Sequence, residues 1–258
     1  MPIDGAFSGS MVRIGLALLL GWLTGSLVNY LGDVLPRRRR LVRPFCLACE
    51  APQPWAAVIL PGRCAACHSG RAGRAWLVWA AFLGAGLWML LAPPERLGSL
   101  LGLFWLAFFG LVIVIDMEHY LILHPVSLFG IAAALPTGWA LHGLLPTLIG
   151  GAAGAGIMYA FYRLGFLFIG WLRRRQGQAI DEDIALGFGD VMLSAVLGLL
   201  LGWPGIVAGL LLAAILGGLG GLLYMLWMAA RGAYRAGQAI PYGPFLALSA
   251  IYLLFFLR

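Results

Sequence analysis

Apolar positions in this chain fall in long unbroken blocks, not in the short periodic stripes of a soluble helix or strand. The first block runs from Met11 to Leu31. Further blocks follow near 75–92, 97–115, 120–141, 144–172, 190–202, 206–229 and 244–257. Most have about the ~20 residues that an α-helix needs to cross the hydrocarbon core of a bilayer. The blocks near 190–202 and 244–257 are short and are flanked by Gly202-Trp203-Pro204-Gly205 and Pro241-Tyr242-Gly243-Pro244. Short or broken helices persist at membrane depth where protein covers them or they line a cavity; a thin, tilted bundle is the plainer alternative. The pattern predicts an all-α polytopic membrane protein of about eight transmembrane helices. A cleaved signal peptide is a competing reading of the first block, but the block is long for one and runs on into Leu35-Pro36-Arg37 with no small-residue cleavage site.

Composition supports this picture. Of 258 residues, 62% are hydrophobic and 10% charged, where a soluble domain carries about a quarter charged residues. The net charge of +7 raises the possibility of a nucleic-acid partner, but its placement points to membrane orientation instead. Alternating sides from an outside N-terminus puts 13 of the 17 basic residues, all arginines, into inside loops, as the positive-inside rule requires. The partners expected are thus a lipid bilayer and no nucleic acid. Three regions follow: a first transmembrane helix over 1–35, a cytoplasmic loop over 36–74, and a transmembrane bundle over 75–258. Gly150-Gly-Ala-Ala-Gly-Ala-Gly156 reads as a helix-packing face. It is not a phosphate loop, having neither a preceding strand nor a following Lys-Ser/Thr.

Candidate chemistry lies in two places. Cys46-x2-Cys49 and Cys64-x2-Cys67 hold all four cysteines inside the polar loop. Paired C-x-x-C knuckles are a strong signal for a tetrahedral ion. On the cytoplasmic side, metal is favoured over disulfide. Zinc in a structural role is the expected ion, stapling a loop too small for a core of its own. A rubredoxin-like iron site shares the spacing, and redox dithiols are a third reading. His68 adjoins a ligand, but four cysteines already complete the shell.

The second place is a pair of acids. Asp116 closes the run Leu111–Ile115, and Asp190 opens the run after Gly187-Phe188-Gly189. The predicted topology brings both to the cytoplasmic face at similar depth. Ionisable groups at that depth are expensive and usually functional. Gly187 and Gly189 leave room beside Asp190 for a substrate backbone. Two neighbouring carboxylates share a proton, and can activate water while protonating a leaving amine. From the residues alone, a transporter using the acids as proton sites and a purely structural pairing remain alternatives. Glu118, His119 and His124 are expected just beyond Asp116, at the interface.

The ordered motifs resemble the type IV prepilin peptidase family of GxGD aspartyl proteases. Gly25-Ser26-Leu27-Val28-Asn29-Tyr30-Leu31 with Leu35-Pro36 resembles its first-helix signature GSFLNVVxxRxP. The paired knuckles, with Pro61-Gly62-Arg63-Cys64, resemble its zinc loop. Ile115-Asp116-Met117-Glu118-His119 resembles IDxxH, and Gly187-Phe188-Gly189-Asp190-Val191 resembles GxGDVK. Ile240-Pro241-Tyr242-Gly243-Pro244-Phe245-Leu246-Ala247 resembles the PFGPFLA segment. The resemblance implies an endopeptidase in the bacterial inner membrane, with its active site facing the cytoplasm. Its substrate would be a type IV prepilin or pseudopilin, cut after a glycine behind a basic leader. Asp116 and Asp190 would be the catalytic pair, with Gly187, Gly189, Pro241, Gly243 and Pro244 supporting them. Many members also methylate the new N-terminus with S-adenosylmethionine. The chain departs from the pattern at several points. His124 stands where the family carries a second, non-catalytic Asp, and Met192 where it carries Lys. The loop between the knuckles is shorter and lacks the ENIP-type segment. RYPxVE reads Arg74-Ala75-Trp76-Leu77-Val78-Trp79, without the Glu. The last two departures set an expectation of cleavage with weak or absent methylation.

Overall fold

A computed structural model describes residues 4–176, 187–232 and 240–256. Each predicted apolar block forms a helix. In chain order these are α1 (Asp4–Arg38), the short α2 (Ala56–Ile59), α3 (Gly73–Leu91), α4 (Gly98–His119), α5 (His124–His142), α6 (Leu144–Gln176), α7 (Phe188–Leu201), α8 (Gly205–Ala230) and α9 (Gly243–Phe255). The described residues contain no β-strand, only an isolated bridge between Phe45 and Pro52. Among the described residues, five helical segments are long and apolar enough to cross a membrane: Met11–Arg38, Gly73–Leu91, Gly98–His119, Leu144–Phe168 and Gly205–Ala230. The apolar helices α7 and α9 are shorter. The chain is therefore an all-helical, multi-pass membrane protein. The positive-inside count includes a basic loop expected over Trp171–Leu186, with Arg173, Arg174 and Arg175, and Arg231 and Arg235 before the last block; residues 177–186 and Arg235 lie outside the described residues.

The chain divides into two compact units, Met1–Val114 and Ile115–Arg258. In the first unit, α1 and α3 touch backbone to backbone. A side chain at Gly21 would meet the Phe82 carbonyl oxygen at 2.3 Å, and one at Gly86 would meet that of Ala17 at 2.3 Å. Small residues permit this approach, which maximises dispersion contact where lipid removes the hydrophobic drive between helices. A ladder of polar and aromatic contacts then fixes the register. Trp22 stacks on Trp79 with ring centroids 4.7 Å apart. Trp79 Nε1 donates to Ser26 Oγ at 2.9 Å. Asn29 Nδ2 donates to the Ala75 carbonyl at 3.0 Å. Asp33 pairs with Arg74. These α1 positions, 22, 26, 29 and 33, follow the spacing of one helical face.

In the second unit, α7 is the buried centre. Leu193, Ser194, Val196 and Leu197 are fully buried. At 14 residues, α7 is about 21 Å long, short of the ~30 Å hydrocarbon core, and its neighbours cover it. The contacts again run through glycine. Side chains at Gly150, Gly154 and Gly138 would meet the carbonyl oxygens of Gly198, Ser194 and Leu199 at 2.3, 2.3 and 2.0 Å. The glycine-rich start of α6 is thus a packing face, as its sequence suggested. Gly156 differs: a side chain there would meet no neighbouring element within 4 Å.

Gly154→Leu is therefore expected to cost about 1–3 kcal/mol of stability by overpacking and to lower the thermal midpoint in detergent. Gly156→Leu should leave the midpoint in place. Equal midpoints for the two variants would refute this account of the α6–α7 contact.

Candidate active site

Asp116 and Asp190 both lie in the second unit, and both are buried, at 5% and 7% exposure. Asp116 sits one turn before the end of α4. There Tyr120 adopts a left-handed conformation (φ 52°) and its N–H bonds the Asp116 carbonyl at 2.9 Å. This turn stops the helix and sends the chain into the short non-helical stretch before α5. Pro125, in the first turn of α5, needs no N–H partner there. Asp190 is in the first turn of α7, and its N–H bonds the Gly187 carbonyl at 2.9 Å. A carboxylate at a helix N-terminus is favoured by the unpaired N–H groups and the helix dipole.

A third helix start completes the site. Gly243 opens α9, and its N–H donates to Asp116 Oδ2 at 2.9 Å. The other donors of this first turn are accounted for. Pro244 has no N–H, and the N–H groups of Phe245 and Leu246 reach the Tyr242 carbonyl at 3.0 and 3.3 Å. Asp116 thus satisfies the one donor that α9 leaves open. A side chain at Gly243 would come within 2.7 Å of Asp116 Oδ2, so this position has room only for glycine. Asp190 lies within the electrostatic reach of Asp116, and Tyr242 within that of Asp190.

Ile122 holds these pieces together. A side chain at Gly189 would meet Ile122 Cβ at 2.6 Å, and one at Gly243 would meet Ile122 Cδ1 at 3.3 Å. Gly189 therefore serves close packing of α7 against the stretch after Asp116. Gly187 differs. It is exposed, and a side chain there would meet nothing nearer than the Gly189 nitrogen at 3.9 Å. Pro241 is half-buried before α9, and Pro244 is buried in its first turn. Glu118, His119 and His124 are exposed beyond Asp116. The His124 ring stacks on Phe188 at 6.1 Å between centroids, and Phe188 meets Tyr162 edge-on at 6.2 Å. Sequence reasoning missed Ile122 and the hydroxyl of Tyr242. An isoleucine in an apolar chain carries no signal, and the closeness of Tyr242 to Asp190 arises only when α7 and α9 meet.

The cysteines form a separate centre in the first unit. Their four sulfur atoms lie within 4.8 Å of one another, an arrangement able to hold a metal ion. The knuckles repeat one geometry. Glu50 and His68, each just after a knuckle, are left-handed (φ 57° and 55°). Their N–H groups return to the carbonyls of Cys46 and Cys64, both at 2.9 Å. His68 is therefore a turn residue that closes its knuckle through its backbone. Gln53 Nε2 donates to Cys64 Sγ at 3.2 Å, and Ser69 Oγ lies 3.3 Å from Cys46 Sγ and 3.0 Å from Cys67 Sγ. The Ser69 hydroxyl is the main cause that lowers the Cys46 thiol to about 6. Cys49 moves the other way, to about 12, beside the other sulfurs, so the thiolate, the metal-binding form, is favoured at Cys46 and not at Cys49.

Fold and site together define a multi-pass membrane protein with two buried carboxylates, Asp190 within the electrostatic reach of Asp116, and a four-cysteine centre. The profile of the type IV leader peptidase family matches residues 100–222. A prepilin leader peptidase/N-methyltransferase of Burkholderia pseudomallei strain 1026b is 32% identical over 236 residues, spanning 87% of this chain and 71% of that protein. Its counterpart in strain K96243 is 29% identical over 282 residues, spanning 95% and 86%. A protein of the same description from Aeromonas hydrophila is 29% identical over 192 residues, spanning 74% and 61%. No solved structure matches the chain. The chain belongs to the type IV prepilin peptidase family and is a peptidase of that kind.

The packing around Ile122 separates the two glycines before Asp190. Gly189→Ala is expected to destabilise the protein by about 1–3 kcal/mol, whereas Gly187→Ala should stay within about 0.5 kcal/mol of the parent. Thermal unfolding in detergent reads both, and a tolerated Gly189→Ala would remove Ile122 from the account.

Proposed function

We propose that this chain is a membrane aspartic endopeptidase that removes the basic leader from type IV prepilins or pseudopilins. Asp116 and Asp190 are its catalytic pair. The observation that carries this reading is the hydrogen bond from the Gly243 N–H to Asp116, with Asp190 in electrostatic reach. It holds one carboxylate in a fixed orientation beside the other inside an apolar unit. In the reaction the pair shares one proton. The ionised carboxylate takes a proton from water as the water oxygen bonds to the scissile carbonyl carbon. The protonated one gives its proton to the carbonyl oxygen. When the C–N bond breaks, the amine nitrogen takes the proton drawn from water, and a hydroxyl of the tetrahedral intermediate returns its proton to the other carboxylate as the C=O bond re-forms, which restores the singly protonated pair. The open space at Gly187 admits the substrate backbone.

The finer architecture follows from the same reading. All eight apolar helices cross the inner membrane, with α7 and α9 covered by neighbours. The active site and the cysteine loop of residues 36–74 face the cytoplasm, where the arginines lie. Residues 1–35 supply the first span and 75–258 the peptidase bundle. A zinc ion on Cys46, Cys49, Cys64 and Cys67 staples the loop, leaving no open coordination position for chemistry. The names of the relatives favour a second activity. This is methylation of the new N-terminus, with S-adenosylmethionine as methyl donor, even though the Glu of RYPxVE is absent here.

Co-expression with a prepilin tests the main claim. The parent should shorten the pilin, while Asp116→Asn and Asp190→Asn should each abolish shortening yet remain folded in the membrane. Full processing by either variant refutes the two-acid mechanism. No processing of several pilin-like substrates by the parent would shift weight to proton transport, which a flux assay would then read. For the loop, metal analysis of the purified protein should find one zinc per chain, and Cys64→Ser should lose it. Absence of zinc from the parent, or its retention in the variant, would contradict the staple.

A further inference from the structure

The loop between α1 and α3 is polar at both ends and apolar in the middle. No charged residue stands between Glu50 and Arg63. The octapeptide Pro54-Trp55-Ala56-Ala57-Val58-Ile59-Leu60-Pro61 carries no polar side-chain group except the Trp55 indole N–H. Yet much of this stretch faces outward. Trp55, Ile59 and Leu60 are 57%, 41% and 62% exposed. Ala57 and Val58 are half-buried and, with Leu60, line a cavity of about 540 Å³ beside the cysteines. Exposed apolar side chains grouped in this way mark a surface that meets a membrane or another protein.

Three observations favour the membrane. The first is depth. The indole N–H of Trp22 donates to the Ile59 carbonyl at 3.0 Å, and the Trp55 ring packs against that of Tyr30 with centroids 5.6 Å apart. Trp22 belongs to the part of α1 that is long and apolar enough to cross a membrane. The nearest charged residues of α1 are Arg13 and Asp33, nine and 11 positions away, or about 14 and 16 Å along the axis. Ile59 is therefore tied to the middle of the uncharged stretch of α1. Around that level Leu19, Leu20, Leu23 and Leu27 of α1 are exposed as well, as lipid-facing side chains are. The second observation is hydrogen bonding. Backbone at membrane depth must satisfy its polar groups within the protein. The N–H groups of Ala57, Val58 and Leu60 reach the carbonyls of Pro54, Trp55 and Ala56 at 2.9, 3.0 and 2.8 Å. Pro54 and Pro61 have no N–H, and the Ile59 carbonyl, left over at the end of α2, takes the Trp22 N–H. The third observation is the path. The four sulfur atoms within 4.8 Å of one another bring Cys49 and Cys64 to one place, so the chain between them leaves and returns on the same side. We infer that residues 54–61 form a re-entrant anchor, which dips into the bilayer beside α1 without crossing it and sets Trp55, Ile59 and Leu60 against lipid acyl chains. The cysteine knuckles stay in water on the side from which the segment enters.

Photo-crosslinking in a bilayer tests this. The full-length protein carries a diazirine amino acid at position 59 or 60 and is placed in nanodiscs of phosphatidylethanolamine and phosphatidylglycerol. After irradiation, mass spectrometry should find phospholipid adducts at both positions, within about threefold of the yield at Leu23, an exposed position on α1. The same probe at Ala66, exposed in the second knuckle, should give at least tenfold fewer. Hydrogen exchange of the unsubstituted protein in the same nanodiscs supplies a second readout that no variant can disturb. The amides of residues 57–60 should exchange at least tenfold more slowly than those of 40–43, because a helix of four residues opens freely in water. Water adducts in place of lipid adducts at positions 59 and 60 overturn the anchor, as does exchange of 57–60 as fast as 40–43. Cross-links from these positions to a second copy of the chain overturn lipid as the occupant. Lipid labelling at Ala66 equal to that at Ile59 overturns the re-entrant path. Leader cleavage is no part of the readout, so the outcome is independent of the peptidase reading.

Discussion

A buried carboxylate in an apolar bundle must find a donor or give up its charge. In this protein a helix start supplies the donor for Asp116. The Gly243 N–H is a group that α9 cannot satisfy internally, and Asp116 Oδ2 accepts from it at 2.9 Å. Two groups that would each be costly alone remove each other's cost. Much of the second unit follows from this bond. Position 243 must be glycine, Pro244 can follow because its missing N–H is not needed, and α4 must end just after Asp116 so that Ile122 can pack between Gly189 and Gly243.

The same economy of space explains α7. A helix of 14 residues with Asp190 in its first turn cannot cross a bilayer core alone. Its depth is set by the helices that enclose it. Those helices approach through Gly138, Gly150 and Gly154, so that main chain meets main chain. Close-packed interiors do not deform continuously. The position of Asp190 is therefore inherited from backbone contacts more than a turn away from it.

The first unit solves a different problem. Within its loop of residues 36–74 only Pro44, Cys46 and Cys64 are buried, so burial alone does not hold it. It relies on two matched knuckles, on the Tyr30 hydroxyl donating to the Val42 carbonyl at 2.6 Å, and on Trp22 Nε1 donating to the Ile59 carbonyl at 3.0 Å. A frame assembled from staples and isolated hydrogen bonds encloses space that a hydrophobic core would have filled. The cavity beside the cysteines follows from that mode of construction.

Much of this was legible in the chain itself. Long apolar blocks can only be helices in a bilayer, because every backbone polar group there must be satisfied within its own segment. The two knuckles could be read because metal ligation demands a fixed local spacing, and Asp116 and Asp190 stood out because charge is rare in such surroundings. Roles that depend on distant contact were not legible. Gly187 and Gly189 look alike in sequence, yet one is open and the other is pressed against Ile122. Gly243 could be placed in a motif, but not as the donor to a carboxylate 127 positions earlier. His68 looked like a spare ligand, and its left-handed backbone makes it a turn residue. Sequence determines what is near in the chain and what a solvent will tolerate. Which helix start meets which acid is decided only when the helices pack.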